Sequence, residues 1–152
     1  YETDAFPNDI EITGPIALYI NASLSNDDAN WIAAINDVYP DGSTKPVSKG
    51  WLKASHREID EAKSKPYLPF HPHTKRLPIK PGEVYEFAIE MGATSNLFEA
   101  GHKMQLVIKG QDNPWEDGAI LYHASNMRET VHTVHHSVTH PSYLLLPVIP
   151  ST

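Results

Sequence analysis

The chain contains no cysteine, which removes disulfide frameworks and thiolate metal sites and leaves the compartment undetermined between cytosol, slightly favoured, periplasm and exterior. Positive charge is also scarce. Lys and Arg number 12 against 19 Asp and Glu, for a formal net charge of -7, and no basic cluster interleaves with aromatics. That balance excludes nucleic acid as an expected partner. Long apolar runs are missing too: the longest, Tyr143 to Ile149, is far too short to span a bilayer, and no charged leader precedes an apolar stretch, so no membrane partner is expected. Finally, no glycine pair brackets a serine in the Gly-x-Ser-x-Gly spacing of a nucleophile elbow.

What the chain does have is punctuation. Its 152 residues suit one domain, residues 1–152, able to bury roughly two-thirds of the surface of its unfolded form. Thirteen prolines and eight glycines cut the apolar stretches to strand length rather than helix length. Val84 to Met91 alternates Tyr85, Phe87, Ile89 and Met91 with Glu86, Ala88 and Glu90, after a Pro81-Gly82 turn. Lys103 to Lys109 repeats the pattern, and these two strands are expected to pair antiparallel or to lie on facing sheets. Ile16 to Leu24 and Trp31 to Val38 read as buried strands, the latter leading into a hairpin turn at Tyr39-Pro40-Asp41-Gly42. Thr130 to Val138 and Tyr143 to Ile149 supply two more, with a break or bulge expected at Pro147. From Trp51 to Pro81 the strand pattern lapses into a long ordered excursion, with at most a short helix around Glu58 to Lys63. No repeat is visible, and the fold class is all-β, a β-sandwich.

Candidate chemistry is thin. Nine histidines raise the idea of a metal-dependent hydrolase, with His71 and His73, or His132, His135 and His136, as ligands. Pro72 and the lack of nearby carboxylates weaken the first group. In the second, His132 and His136 would share one strand face and His135 the other, so a structural role is expected for both groups. Asp112, Glu116 and Asp117 around Asn113-Pro114-Trp115 match no dedicated calcium loop and are expected to form a solvated acidic loop. Trp31, Trp51 and Trp115 with seven tyrosines could form the platform of a carbohydrate-binding module, the alternative function, but core burial is the favoured role of such rings. Asn21-Ala22-Ser23 satisfies the glycosylation sequon inside an expected strand and is read as coincidence. No residue is assigned a catalytic, cofactor-binding or metal-binding role, and no cofactor is expected.

Several ordered motifs remain: Glu11-Ile12-Thr13-Gly14-Pro15, Asp37 to Gly42, Gly50-Trp51-Leu52-Lys53-Ala54-Ser55-His56-Arg57, Pro66 to His73 and Pro81-Gly82-Glu83-Val84. They continue through Thr94-Ser95-Asn96, Phe98, Ala100-Gly101-His102 and His140-Pro141-Ser142-Tyr143-Leu144-Leu145-Leu146-Pro147-Val148. In this order they resemble the C-terminal domain of X-Pro dipeptidyl-peptidases and cocaine esterase-like serine hydrolases. The resemblance implies a jelly-roll sandwich similar to galactose-binding domains and a non-catalytic role. It also implies an excised fragment that follows an α/β-hydrolase domain holding the Ser, Asp and His of the triad. The expected partner is that hydrolase domain in the same parent chain, whose cleft this domain helps wall, and homo-oligomer contacts are a second expectation. Part of the docking surface is expected to lie on the proline-rich excursion from Gly50 to Pro81, because an ordered loop loses less entropy on docking than a flexible one. Capping of a sheet edge by Trp51, Tyr67 and Phe70 is its plainer role.

Overall fold

A computed structural model describes residues 1–113 and 128–150. Eight antiparallel strands form one sheet: β1 (Ile10–Leu24), β2 (Asn30–Val38), β3 (Thr44–Lys53), β4 (Tyr85–Phe98), β5 (Lys103–Lys109), β6 (His132–His135), β7 (Tyr143–Leu145) and β8 (Val148–Ile149). Among the described residues there is one 3-10 turn, Ala54–His56, and no α-helix. The lateral order is β5-β2-β3-β4-β1, and β6, β7 and β8 divide the far side of β1 between them.

The sheet is continuous but curled. β2 and β3 pair along their whole length, and so do β1 and β4, whereas β3 meets β4 only where Gly50 faces Met91. At that point the two halves turn face to face. The inward residues of β1 (Ile12, Ile16, Leu18, Ile20, Ala22, Leu24), β2 (Trp31, Ala33, Ile35) and β4 (Phe87, Ile89, Met91, Phe98) form the core, as period-two side-chain alternation requires. Trp31 on one half meets Phe87 on the other with ring centroids 5.2 Å apart, a pairing that adds about 1 kcal/mol to the area they bury. Strands β4 and β5 thus lie on facing halves, the second of the two arrangements their patterns allowed.

Turn chemistry acts where the sequence placed it. Gly42 holds φ +85° and donates its N–H to Tyr39 O at 2.9 Å, while Asp41 Oδ1 accepts the Ser43 N–H at 2.9 Å. Pro147 separates β7 from β8, and its carbonyl accepts the Thr13 N–H at 3.0 Å.

Four boundaries differ from expectation. β1 begins at Ile10 because Gly14-Pro15 sits in a register shift opposite Met91 to Thr94, a bulge that lets a proline stand within a strand. β3 was hidden by its polar composition and by Pro46, which stands at a second register shift, between Ile35 and Asn36. Trp51 accordingly belongs to a strand, paired with Ile32. The short helix at Glu58 to Lys63 is a single turn: Asp60 O accepts the N–H groups of both Lys63 and Ser64, Asp60 Oδ1 accepts that of Ala62, and Pro66 follows. β6 is confined to His132–His135 because Ser137 and His140 close a turn immediately after it.

The curl depends on a glycine at position 50, where an added Cβ would stand 2.3 Å from the Glu90 carbonyl oxygen. Gly50→Ala is expected to cost at least about 2 kcal/mol, read as a lower midpoint in urea unfolding. Gly92→Ala is the control, because the nearest atom to its Cβ would be 3.7 Å away; its change should stay within about 0.5 kcal/mol.

Candidate functional site

Because β3 leaves β4 after one pair, the flank of β4 nearest β3 lacks a strand over much of its length, and the excursion after β3 fills that position. Its anchors are polar, and the first of them, Asp28 and Ser55, are buried. The Asp28 carboxylate, at the start of β2, accepts the Ser55 N–H at 2.9 Å, the Ser55 hydroxyl at 2.8 Å and the Ala29 N–H at 3.0 Å. Lys53 and Arg76 each approach it to 3.6 Å, so its charge is both paired and hydrogen-bonded, as burial demands. The Arg57 guanidinium donates to Leu77 O and lies over the Tyr85 ring at 4.4 Å. The Ile79 N–H donates to Asp27 O at 2.9 Å, which draws the Ile79 side chain into the core.

His71 ties the middle of the excursion to the sheet. Its Nδ1 lies 2.9 Å from Glu58 O and its Nε2 2.7 Å from Ala88 O on β4. Pro69 beside it is fully buried, and the Tyr19 hydroxyl donates to Pro66 O at 2.7 Å. Burial, followed by the proximity of Tyr143, Glu86 and Glu61, pushes the Tyr19 hydroxyl pKa up. The excursion therefore covers the β4 edge at Ala88 through His71, not through Trp51, Tyr67 or Phe70. The indole of Trp51 donates to Asp112 Oδ2 at 3.2 Å and carries Lys49 over its ring. Tyr67, Leu68 and Phe70 project from the tip, each about two-fifths exposed. Pro15, Leu145 and Pro147 line a shallow apolar depression with Tyr67.

The histidines do not gather as ligands. His71 and His73 have ring centroids 5.9 Å apart, and His73 instead meets His56, Nδ1 to Nδ1, at 3.0 Å. That neighbour had no spacing signal in the sequence. His132 lies edge-on to Trp31 with its nitrogens 3.2 Å from Thr130 O and Asn30 O. His135 contacts Ser23 Oγ at 3.4 Å, and His136 contacts the Tyr1 hydroxyl at 3.0 Å. Among the described residues no three His, Asp or Glu side chains are placed to hold a metal ion together.

Asp112 corrects the acidic-loop expectation. It is buried, bonded to Lys49 and Trp51 of β3 and, at 3.2 Å, to Lys109 at the end of β5. Trp115, Glu116 and Asp117 lie outside the described residues. Trp31 is a core residue, and Trp51 is half-covered with Lys49 Nζ 5.3 Å from its ring centroid. Asn21 lies within β1, and its side-chain amide donates to Pro141 O at 2.6 Å. Sequence reasoning missed one further polar pair: the buried His102 Nδ1 contacts the buried Asp37 Oδ1 at 2.8 Å, under the Tyr39 ring. It joins the end of β2 to the turn before β5, and Gly101-His102 stood only as a motif fragment.

Neither polar cluster is a catalytic triad. The Ser55 hydroxyl donates to Asp28 with no histidine between them, and His135 beside Ser23 makes no hydrogen bond to a carboxylate among the described residues. A nucleophilic serine needs a base oriented by a third group.

Residues 1–145 match the family model of the X-Pro dipeptidyl-peptidase C-terminal non-catalytic domain. The chain belongs to that family. It is 30% identical to the cocaine esterase of a Rhodococcus strain, over 98% of this chain and 25% of that protein. A solved CocE/NonD family hydrolase of Staphylococcus aureus superposes with a TM-score of 0.87 at 25% identity, over 98% of this chain and 30% of that one. The fold alone is shared with an aminopeptidase from a marine sediment thaumarchaeote, with a TM-score of 0.79 at 19% identity, over 99% of this chain and 25% of that one. The chain thus spans about a quarter of the length of the cocaine esterase it matches. It is a non-catalytic domain of the kind found in these longer hydrolases, and the matched span includes the excursion after β3.

Partial burial, together with the neighbouring His56 and His71 rings, holds His73 below its ordinary value of 6.5. As pH falls, the unfolded chain binds this proton first, so stability declines from about pH 6.5 downward and levels off below the folded-state value. His73 has φ +52°, a conformation asparagine tolerates. His73→Asn is expected to make the fall of thermal midpoint between pH 7 and 5 shallower than in the unsubstituted chain; an identical slope would remove His73 as a contributor.

Proposed function

We propose that this chain is a single accessory domain, residues 1–152, at the C-terminal end of a serine hydrolase, packing on an α/β-hydrolase domain and helping to wall its substrate cleft. The observation that carries the reading is the coverage: nearly the whole chain aligns with a quarter of cocaine esterase, while this chain carries no Gly-x-Ser-x-Gly nucleophile elbow. Cleavage of an ester or amide through an acyl-enzyme would then belong to the remainder of the parent.

The excursion tip suits the docking role. Tyr67, Leu68 and Phe70 are held on a backbone already fixed by His71, Arg57 and Asp28, so little ordering entropy remains to be lost on docking. Aromatic side chains in such positions contribute disproportionately to interfaces. Tyr67→Ala with Phe70→Ala in the full-length parent is expected to lower the cooperativity between the two domains' unfolding transitions, followed by calorimetry, while the isolated domain's own midpoint shifts by less than about 1 kcal/mol equivalent. Unchanged coupling would place the interface elsewhere.

The chemical part of the reading is tested by assaying the isolated chain and the full-length parent side by side on p-nitrophenyl acetate and a Gly-Pro-anilide, with a serine-directed covalent label. Turnover and labelling are expected in the parent alone. Stoichiometric labelling of the isolated chain would overturn the reading.

A further inference from the structure

The outer edge of β5 is paired, but only along part of its length. Tyr1 and Leu106 exchange both backbone bonds: the Tyr1 α-amino group donates to Leu106 O at 2.9 Å and the Leu106 N–H donates to Tyr1 O at 2.9 Å. Two residues on, the Thr3 N–H donates to Met104 O at 3.0 Å and the Met104 N–H donates to Thr3 Oγ1 at 3.1 Å. Glu2 stands opposite Gln105, their side chains bonded at 2.9 Å. The first residues therefore form an antiparallel rung-by-rung continuation of the sheet beyond β5.

In an antiparallel ladder the outward-facing backbone groups recur at every second residue. Met104 and Leu106 face the N-terminal segment, so Ile108 is the next rung, and its N–H and C=O have no partner among the described residues. Trp31, Leu106, Ile108, His132 and Val134 line an open cleft at this point, between the end of β5 and β6. An unpaired rung next to the β-branched Val107 and Ile108 is an invitation to strand addition.

We propose that, in the longer hydrolase chain, the residues immediately before Tyr1 continue this strand along β5. The second residue before Tyr1 pairs with Ile108, and the first lies opposite Val107. The inference rests on the reading of this chain as the C-terminal part of a longer protein, and it adds what joins the parts. The Tyr1 nitrogen already occupies the donor position that a peptide N–H would take, and the existing bonds fix the register. The connection is then a strand of the sheet, advancing about 3.4 Å per residue toward Gly110. A connector held in this way sets the direction from which the catalytic domain approaches, as a flexible tether would not.

The test uses the full-length parent and two cysteine pairs. One pair joins the residue immediately before Tyr1 to Val107→Cys. The reference pair joins Glu2→Cys to Gln105→Cys. Both are non-hydrogen-bonded positions, where Cα atoms lie about 4.5 Å apart and a disulfide closes without backbone movement. This chain has no cysteine of its own to compete. After oxidation in a glutathione buffer, peptide mapping is expected to give intramolecular disulfide yields within twofold of each other. The proposal is overturned if the reference pair closes while the other stays below a tenth of its yield. It is also overturned if the new disulfide links two copies, or if the reference pair itself stays open. The serine-directed label on the same preparation separates the two readings: a labelled parent without the crosslink defeats this inference alone, and an unlabelled parent defeats the functional reading.

Discussion

One close approach governs this molecule: the backbone of Gly50 against Glu90 and Met91. A strand pair of ordinary length between β3 and β4 would keep the sheet open, and an eight-stranded open sheet exposes one face to water. With a single pair, and no side chain at position 50, the sheet folds on itself and the two apolar faces meet across Trp31 and Phe87. The cost is a flank of β4 with few strand bonds. Edges of this kind must be paired, charged or covered, and the excursion after β3 supplies the cover.

Cover of that sort is held by polar anchors, because a loop lying over a sheet has few inward-facing side chains. Asp28 gathers three donors and two cations at the root of the excursion, Arg57 and His71 bind backbone carbonyls farther along, and Ile79 and Pro69 supply the apolar contacts. Each of these polar groups is worth little while its partners stay in place and much when one is removed. The same logic applies to His102 and Asp37 at the other end of β2. These buried pairs resemble fragments of catalytic machinery in composition, yet each is consumed by structural bonds. The result is a frame whose apolar tip, Tyr67, Leu68 and Phe70, stays partly exposed.

Much of this was legible from residue order. Tyr85, Phe87, Ile89 and Met91 announced a half-buried strand because the pleat repeats every two residues. Pro40-Asp41-Gly42 announced a hairpin because proline, aspartate and glycine each satisfy a local backbone requirement. β3 escaped because its stabilisation comes from cross-strand neighbours rather than from its own Lys-rich pattern, and Pro46 falls on a bulge that only the register of β2 creates. Asp112 was misjudged for a related reason: besides the nearby Lys109, its carboxylate is held by Lys49 and the Trp51 indole, 63 and 61 positions away, and no local pattern reports that.

By itself, the sequence determined the all-β class, most of the strands, the turns, the family and the lack of a nucleophile elbow, since all of these depend on nearest-neighbour chemistry or ordered motifs. Only the tertiary structure decided where the sheet curls, which histidines meet, that Asp28 and Asp37 are interior anchors, and which rung of β5 is left open. Those outcomes depend on contacts between residues far apart in the chain, where backbone geometry and burial, rather than local preference, select the partner.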